Sequence, residues 1–200
     1  MTAVVFVAPY FLETTLRFVD AVASLPGVRT GLISQDPASK LPADLKRKLD
    51  AHRRVADGLD PRQIAAATRE LEREIGPVRR LLGALEQLQV PLGEVRDELG
   101  IEGLGAEASR NFRDKARMKD VLRRAGVPCA RHARAESEKS VRAFVEEIGL
   151  PVVLKPAAGA GAQGTYRITS AAELAELIRA VNAIDRTLAT PAITLLRVAA

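Results

Sequence analysis

An alternation of strand and helix patterns over the first hundred residues constrains the fold of this 200-residue chain more than any other feature. The run Ala3–Ala8 is apolar and rich in β-branched residues, which is typical of a strand covered on both faces. Val28–Ser34 repeats that pattern, and Asp60-Pro61 supplies a helix cap with a proline in the first turn. Strands that alternate with helices form parallel sheets covered by helices. We therefore predict an α/β fold whose first unit contains a parallel sheet.

The same patterns give bounds for the other elements of the first unit. We expect helices at residues 12–23, 41–49, 60–75 and 88–99, and a strand over Val78–Leu85. Three glycines in the six residues Gly100–Gly105 then interrupt every periodic pattern. We therefore predict two domains, the first at residues 1–104 and the second at residues 105–200.

The second domain is predicted to mix helices with strands. Its helices begin at Asp114, at a Ser137 cap and at a Ser170 capping box. Its predicted strands are Pro151–Pro156, Thr165–Thr169 and Ile193–Val198.

A glycine-rich loop, Gly159–Gly164, matches the G-x-G-x-x-G pattern of dinucleotide-binding proteins. In those proteins the loop opens a helix directly. Here Thr165–Thr169 follows with strand alternation, so we expect the loop to join two strands as a hairpin. Glycines in such a loop let backbone N–H groups approach phosphate oxygens without side-chain obstruction. A surface hairpin that binds no ligand is the alternative.

Two lysines are candidates for binding an anion near this loop. Lys155 lies in an apolar strand, where its ammonium needs an anionic partner unless the strand is at an edge and the side chain reaches solvent. Lys115 borders the apolar face of the helix from Asp114 and is the one basic residue of that helix placed to reach inward. A lysine that extends along the helix to solvent is the alternative there. Arg113 is expected in solvent.

The basic charge of the chain is concentrated in one segment. The chain carries 30 basic and 25 acidic residues, a net charge of +5. Residues 106–134, called the basic patch below, carry nine basic and three acidic residues, a net +6. Such a patch favours an anionic partner, a nucleotide or a nucleic acid. Phe112 is its one aromatic residue and it contains no nucleic-acid-binding motif, so we expect no specific nucleic acid partner.

The composition excludes several classes of protein. Cys129 is the only cysteine and the chain has two histidines, so no disulfide and no Cys- or His-based metal site is expected. The longest uncharged stretch, Met1–Leu12, is shorter than the about 20 residues that span a bilayer, and we expect no membrane association. No signal peptide is recognised, which favours a cytoplasmic location.

Three motifs together resemble the ATP-grasp superfamily, which includes carbamoyl phosphate synthetase, biotin carboxylase and D-alanine–D-alanine ligase. They are Arg113-Asp114-Lys115 followed by Lys119, Leu122 and Gly126-x-Pro128, the strand Pro151–Pro156, and the loop Gly159–Gly164. The resemblance implies a Rossmann-like pre-ATP-grasp domain followed by the first, incomplete ATP-grasp subdomain.

The resemblance also implies a ligand and a chemistry. Lys115 and Lys155 would contact the phosphates of ATP, and the loop with Gly159, Gly161, Gln163 and Gly164 would cover the β- and γ-phosphates. The family activates a carboxylate as an acyl phosphate, which an amine or another nucleophile then attacks. The carboxylate and the catalytic residues stay unassigned.

One departure from the family concerns the metal. The family needs Mg²⁺, but no Asp, Glu or Asn follows Asp185, and we find no ligands for the ion. We therefore expect a truncated ligase that is inactive alone. The alternative is a non-catalytic nucleotide- or anion-binding module that pairs with another subunit supplying the missing half, or that forms a homodimer.

Overall fold

The computed structural model describes residues 1–135, 137–159, 164–184 and 193–197. The chain divides into two compact units, Met1–Arg110 and Asn111–Ala200. Each unit has its own four-stranded sheet. The domain boundary after residue 104 stays a prediction.

The first unit alternates strands with helices, as its sequence predicts. Its elements are β1 (Thr2–Val7), α1 (Glu13–Ala23), β2 (Val28–Ser34), α2 (Ala43–Lys48), β3 (Ala51–Arg54), α3 (Pro61–Ile75), β4 (Val78–Leu82) and α4 (Gln89–Leu99). A further helix, α5 (Ala106–Arg113), contains the boundary between the units.

The sheet of the first unit has the strand order β3-β2-β1-β4, with all neighbouring strands parallel. One face packs against α3 and α4 through a cluster that includes Ile64, Leu71 and Val95. The other face packs against α1 and α2, and Val19 and Leu45 are both buried there. Helices on both faces bury the last five residues of each central strand, which is why β1 is a nearly continuous apolar run. The predicted α/β class with a parallel sheet is confirmed.

Strand β3 is the element of this sheet that the sequence does not predict. Its residues are Ala-His-Arg-Arg, and it pairs on one side with β2 at the edge of the sheet. An edge strand needs little apolar surface, because one of its sides faces solvent. Pairing with β2 therefore decides its conformation, rather than its own residue pattern.

The second unit contains α6 (Lys115–Arg124), β5 (His132–Ala135), α7 (Glu138–Ile148), β6 (Val152–Pro156), β7 (Tyr166–Ile168), α8 (Ala171–Ile184) and β8 (Ile193–Arg197). Its sheet has the order β5-β8-β6-β7, and all neighbouring strands are antiparallel. Helices α7 and α8 cover one apolar cluster, in which Phe144, Val152 and Ile168 are buried. Strand β5 was not predicted.

The predicted hairpin is present, since β6 pairs with β7 in antiparallel register from Val152↔Ile168 to Leu154↔Tyr166. The predicted caps are also present. Ser137 accepts a hydrogen bond from the Ser140 amide, and the Glu173 amide donates to Ser170 Oγ. Over the residues that the structure describes, no helix has the length and apolar character that crossing a membrane requires.

Candidate functional site

Asp114 determines where α6 begins and so where the helix places its lysines. Its backbone is extended (φ −95°, ψ 112°), which separates α5 from α6. Its Oδ1 accepts hydrogen bonds from the amides of Ala116 (2.9 Å) and Arg117 (3.0 Å), two donors that the first helical turn otherwise leaves unpaired. Its Oδ2 accepts from Arg134 Nη2 at 2.7 Å. Arg134 of β5 therefore also holds the capping side chain of Asp114 in place.

The electrostatics of Asp114 agree with this arrangement. Partial burial alone would raise its pKa. The hydrogen bonds from the Arg117 amide and from the Arg134 guanidinium outweigh burial and hold the pKa of Asp114 below its usual range. The carboxylate is thus ionised at neutral pH and serves as cap and ion-pair partner together.

Lys115 is attached to the segment that leads from β6 into the glycine loop. Its backbone amide donates to the carbonyl oxygen of Ala157 at 3.0 Å. Its Nζ donates to the carbonyl oxygen of Gly159 at 2.8 Å. The first residue of α6 and the start of the loop are therefore joined by backbone and side chain.

Lys155 lies on β6 and is half-buried, and the charges of two other lysines act on it. Burial lowers the pKa of Lys155, and the positive charges of Lys115 and Lys119 lower it further. Among the residues that the structure describes, no carboxylate forms an ion pair with any of these three lysines. We call Lys115, Lys119 and Lys155 the lysine cluster.

The charges of Lys115 and Lys119 both act on Lys155, and none of the three pairs with a carboxylate among the described residues, so this partly buried place has a positive potential. Such a potential is unfavourable for the isolated protein and favours an anion with several charges. A polyphosphate fits this requirement better than a carboxylate, because it offers several oxygens and more than one negative charge.

One basic residue lies elsewhere than the sequence predicts. Arg113 was expected in solvent, but its Nη1 donates to the Gly159 carbonyl at 3.2 Å. The expectation was wrong because it placed Arg113 on the helical wheel of α6, whereas Arg113 ends α5 and the extended Asp114 redirects the chain. Lys119, which the sequence marks only as part of a motif, carries a positive charge that lowers the pKa of Lys155.

The apolar face predicted for α6 is also less buried than expected. Met118, Val121 and Leu122 are half-buried and Ala125 is exposed, whereas Ala116 is the buried residue of the helix. The β5 side chains that contact the helix include Arg134 and His132, so polar contacts help to join α6 to the sheet.

The glycines of the loop are described at its two ends. Gly159 supplies the carbonyl that Lys115 and Arg113 share. Gly164 has a left-handed backbone (φ +66°), and a Cβ there would lie 3.1 Å from Pro156 Cγ, so the closing turn requires glycine. Gly161 and Gln163 lie outside the described residues. The phosphate-binding role of these residues stays a prediction.

Arg134 is the site residue that sequence reasoning did not single out. It lies in the basic patch, but its partner Asp114 is 20 residues away in the sequence. No local pattern marks such a pair, because the contact depends on β5 joining the sheet. Its position could be read only from the fold.

The same geometry bears on metal binding. In the part of the chain that the structure describes, no three residues of the His, Cys, Asp and Glu types come together as ligands for an ion. The described basic side chains beside the loop suit an anion better than a cation, and oxygen ligands for Mg²⁺ are not grouped among the described residues.

The sequence of the second unit matches a known family. Residues 114–195 match the family described as "Carbamoyl-phosphate synthase L chain, ATP binding domain". The alanine–anticapsin ligase of Bacillus subtilis (strain 168) is 35% identical over 92 residues, which are 46% of this chain and 20% of that enzyme.

Solved structures share the fold of nearly the whole chain. The L-amino acid ligase from Bacillus licheniformis has a TM-score of 0.70 at 16% identity, over 99% of this chain and 44% of that one. The biotin carboxylase domain of the Hydrogenobacter thermophilus 2-oxoglutarate carboxylase, solved with MgADP, ADP and bicarbonate, has a TM-score of 0.72 at 24% identity, over 97% of this chain and 44% of that one.

The two solved structures show the fold, and the family match concerns residues 114–195. That match confirms the resemblance to the ATP-grasp superfamily drawn from the lysines, the strand and the glycine loop. The chain spans 20% of the alanine–anticapsin ligase and 44% of each of these two solved chains.

Proposed function

We propose that this chain is the ATP-binding portion of an ATP-grasp ligase. The whole ligase would activate a carboxylate as an acyl phosphate, and an amine or another nucleophile would attack it. The observation that carries the proposal is the lysine cluster beside the start of the glycine loop, in a segment that resembles the ATP-grasp superfamily. Its relatives are ATP-grasp ligases, which supports ATP binding in general.

Each residue of the site has a distinct part in this proposal. Lys155 and Lys115 bind oxygens of the ATP phosphates and neutralise their charge. The loop Gly159–Gly164 closes over the β- and γ-phosphates with backbone N–H groups. Arg113 and Lys115 hold the start of that loop through the Gly159 carbonyl. Mg²⁺, when bound with the nucleotide, would reduce the repulsion that opposes attack at the γ-phosphate.

A non-catalytic module that pairs with another subunit was the alternative. No observation on this chain favours it over the ligase, and the similar proteins from Bacillus subtilis and Bacillus licheniformis are ligases by name. The proposal leaves open which carboxylate and which nucleophile react, because Lys115, Lys155 and the glycine loop would bind phosphate and not those substrates.

The test is isothermal titration of the purified 200-residue chain with ATP and magnesium. We expect binding by the wild type and a loss of about tenfold to a hundredfold in affinity for Lys155→Ala and for Lys115→Ala, since each removes one charge-assisted contact to phosphate. Lys139→Ala is the matched control, because Lys139 is an exposed lysine on α7 outside the cluster. Equal affinity in all four proteins would contradict the proposal.

A further inference from the structure

His132 is the first residue of β5, and its side chain is buried against α6. The proposed phosphate site assigns it no role. Only 4% of its side-chain surface is exposed, and its Nε2 lies 3.1 Å from Asp120 Oδ1. Its Nδ1 lies 3.1 Å from Arg123 Nη2. One imidazole ring therefore contacts two residues of the same helix, three positions apart.

The partners fix the tautomer of the ring. A guanidinium has only N–H donors, so Nδ1 must accept the hydrogen bond from Arg123. The proton of the neutral ring then sits on Nε2 and is donated to the Asp120 carboxylate. Burial lowers the pKa of His132, with Arg123 and Lys119 acting in the same direction and Asp120 in the opposite one. The neutral ring satisfies both neighbours.

His132 provides one of the contacts by which β5 holds α6. Arg134, two residues further along the strand, binds the capping Asp114 at 2.7 Å. Side chains two apart in a strand lie on the same face of the sheet, so both contacts point to α6. One contact holds the start of the helix, and the His132 contact holds its second half, directly after Lys119.

The contact of His132 with α6 opposes the electrostatic repulsion between Lys119 and Lys155. Lys119 lies four positions after Lys115 on α6, so both side chains lie on the same side of the helix, and Lys115 Nζ binds the Gly159 carbonyl at 2.8 Å. The like charges of Lys119 and Lys155 repel each other. Without a hold on the second half of α6, the repulsion would move Lys119 away from β6. Asp120 is adjacent to Lys119 in the sequence, so a bond at Asp120 restrains the backbone that carries the lysine.

We propose that His132 is a positioning residue for Lys119, and that through its bonds to Asp120 and Arg123 it keeps Lys119 in the lysine cluster. The inference rests on the proposed function for its ligand, a polyphosphate. It adds Lys119 as a third phosphate-binding cation and gives the buried imidazole a role.

The first test compares two substitutions in the full 200-residue chain, with ADP as the titrant. His132→Phe keeps an aromatic ring but removes both hydrogen bonds, and we expect its affinity to fall about tenfold. His132→Gln keeps an N–H donor for Asp120 and should recover most of that loss. Arg131→Gln is the matched control, because Arg131 precedes the same strand but pairs with Glu147 of α7, and its affinity should stay at the wild-type value.

A double-mutant cycle separates positioning from general stability. If His132 acts through Lys119, His132→Phe should change ADP affinity less than about twofold in a Lys119→Ala background. An equal loss in both backgrounds would overturn the proposal, as would full wild-type affinity in His132→Phe. Thermal unfolding of each variant shows that the compared proteins are folded.

The same cycle with inorganic tripolyphosphate distinguishes the failure of this inference from the failure of the proposed function. If the wild type binds tripolyphosphate but neither ADP nor ATP, the nucleotide proposal fails and the His132 proposal is decided by the tripolyphosphate cycle. If the wild type binds none of the three, both are overturned.

Discussion

The position of Lys155, in a partly buried strand, is the observation that points to anion binding. Lys155 follows the buried Leu154 in β6 and precedes the glycine loop. The positive charges of Lys115 and Lys119 both act on its ammonium group. Burial and like charge both disfavour the charged form. Among the residues that the structure describes, no carboxylate forms an ion pair with Lys155, so its surroundings favour an anion from outside the protein.

The lowered pKa of Lys155 predicts an alkaline limit to nucleotide binding. Phosphate binds the ammonium, so affinity is highest below the folded-state pKa of Lys155 and falls as pH rises through it, at a pH below the ordinary 10.5. Lys155→Arg keeps its charge throughout this range. ADP titrations between about pH 8 and pH 10 should therefore show a decline for the wild type and a smaller one for Lys155→Arg. Parallel declines would contradict the assignment of this lysine to the phosphates.

At the scale of elements, the cap of α6 connects helix stability to the site. Asp114→Ala removes both amide hydrogen bonds and the partner of Arg134, and we expect the free energy of unfolding to fall by about 1–2 kcal/mol. Asp114→Asn can still cap the helix and loses only the ion pair, so its loss should be smaller. Urea unfolding of the two variants measures the difference, and equal losses would show that the ion pair, not the cap, dominates.

The elements that could be predicted are those whose own residues determine them. Helix α3 has an Asp60 cap, a proline in its first turn and Gly76 at its end, and the structure shows all three features. Strand β1 is a nearly continuous apolar run because helices cover both faces of its sheet. The short polar strands β3 and β5 have no such pattern, and their pairing with β2 and β8 decides their conformation.

The sequence predicts some residues of the candidate site and leaves others undetermined. Lys115 and Lys155 could be selected because each stands at the border of an apolar pattern. Arg113, Lys119 and Arg134 could not be placed, because their positions depend on the break at Asp114 and on β5, which are features of the fold. Local patterns therefore found the lysines nearest the loop, and tertiary contacts added the residues that hold them.

For the whole molecule, the distribution of charge predicts the response to nucleic acids. The basic patch has a net +6, and the rest of the chain is close to neutral, since the total is +5. Binding to duplex DNA should be weak, independent of sequence and steeply reduced by salt, because only counterion release would drive it. Electrophoretic shift assays at several salt concentrations test this. Tight binding to one defined sequence at physiological salt would instead favour nucleic-acid recognition.

The inventory of charged residues also predicts that the purified 200-residue chain does not catalyse ligation. Phosphoryl transfer to a carboxylate needs a metal ion, and after Asp185 the sequence has no Asp, Glu or Asn. A phosphate-release assay with ATP, magnesium and a panel of carboxylates should give no carboxylate-dependent signal. Robust release would show that acidic residues earlier in the chain supply the metal ligands.

The central claim is that the lysine cluster binds the phosphates of a nucleotide. The most direct measurement is a titration series of the wild-type chain with ATP, ADP, AMP and adenosine under one set of conditions. Because each phosphate brings charge to Lys115, Lys119 and Lys155, affinity should fall at each step of the series, and adenosine should bind weakest by a wide margin. Adenosine or AMP binding as tightly as ATP would contradict the account.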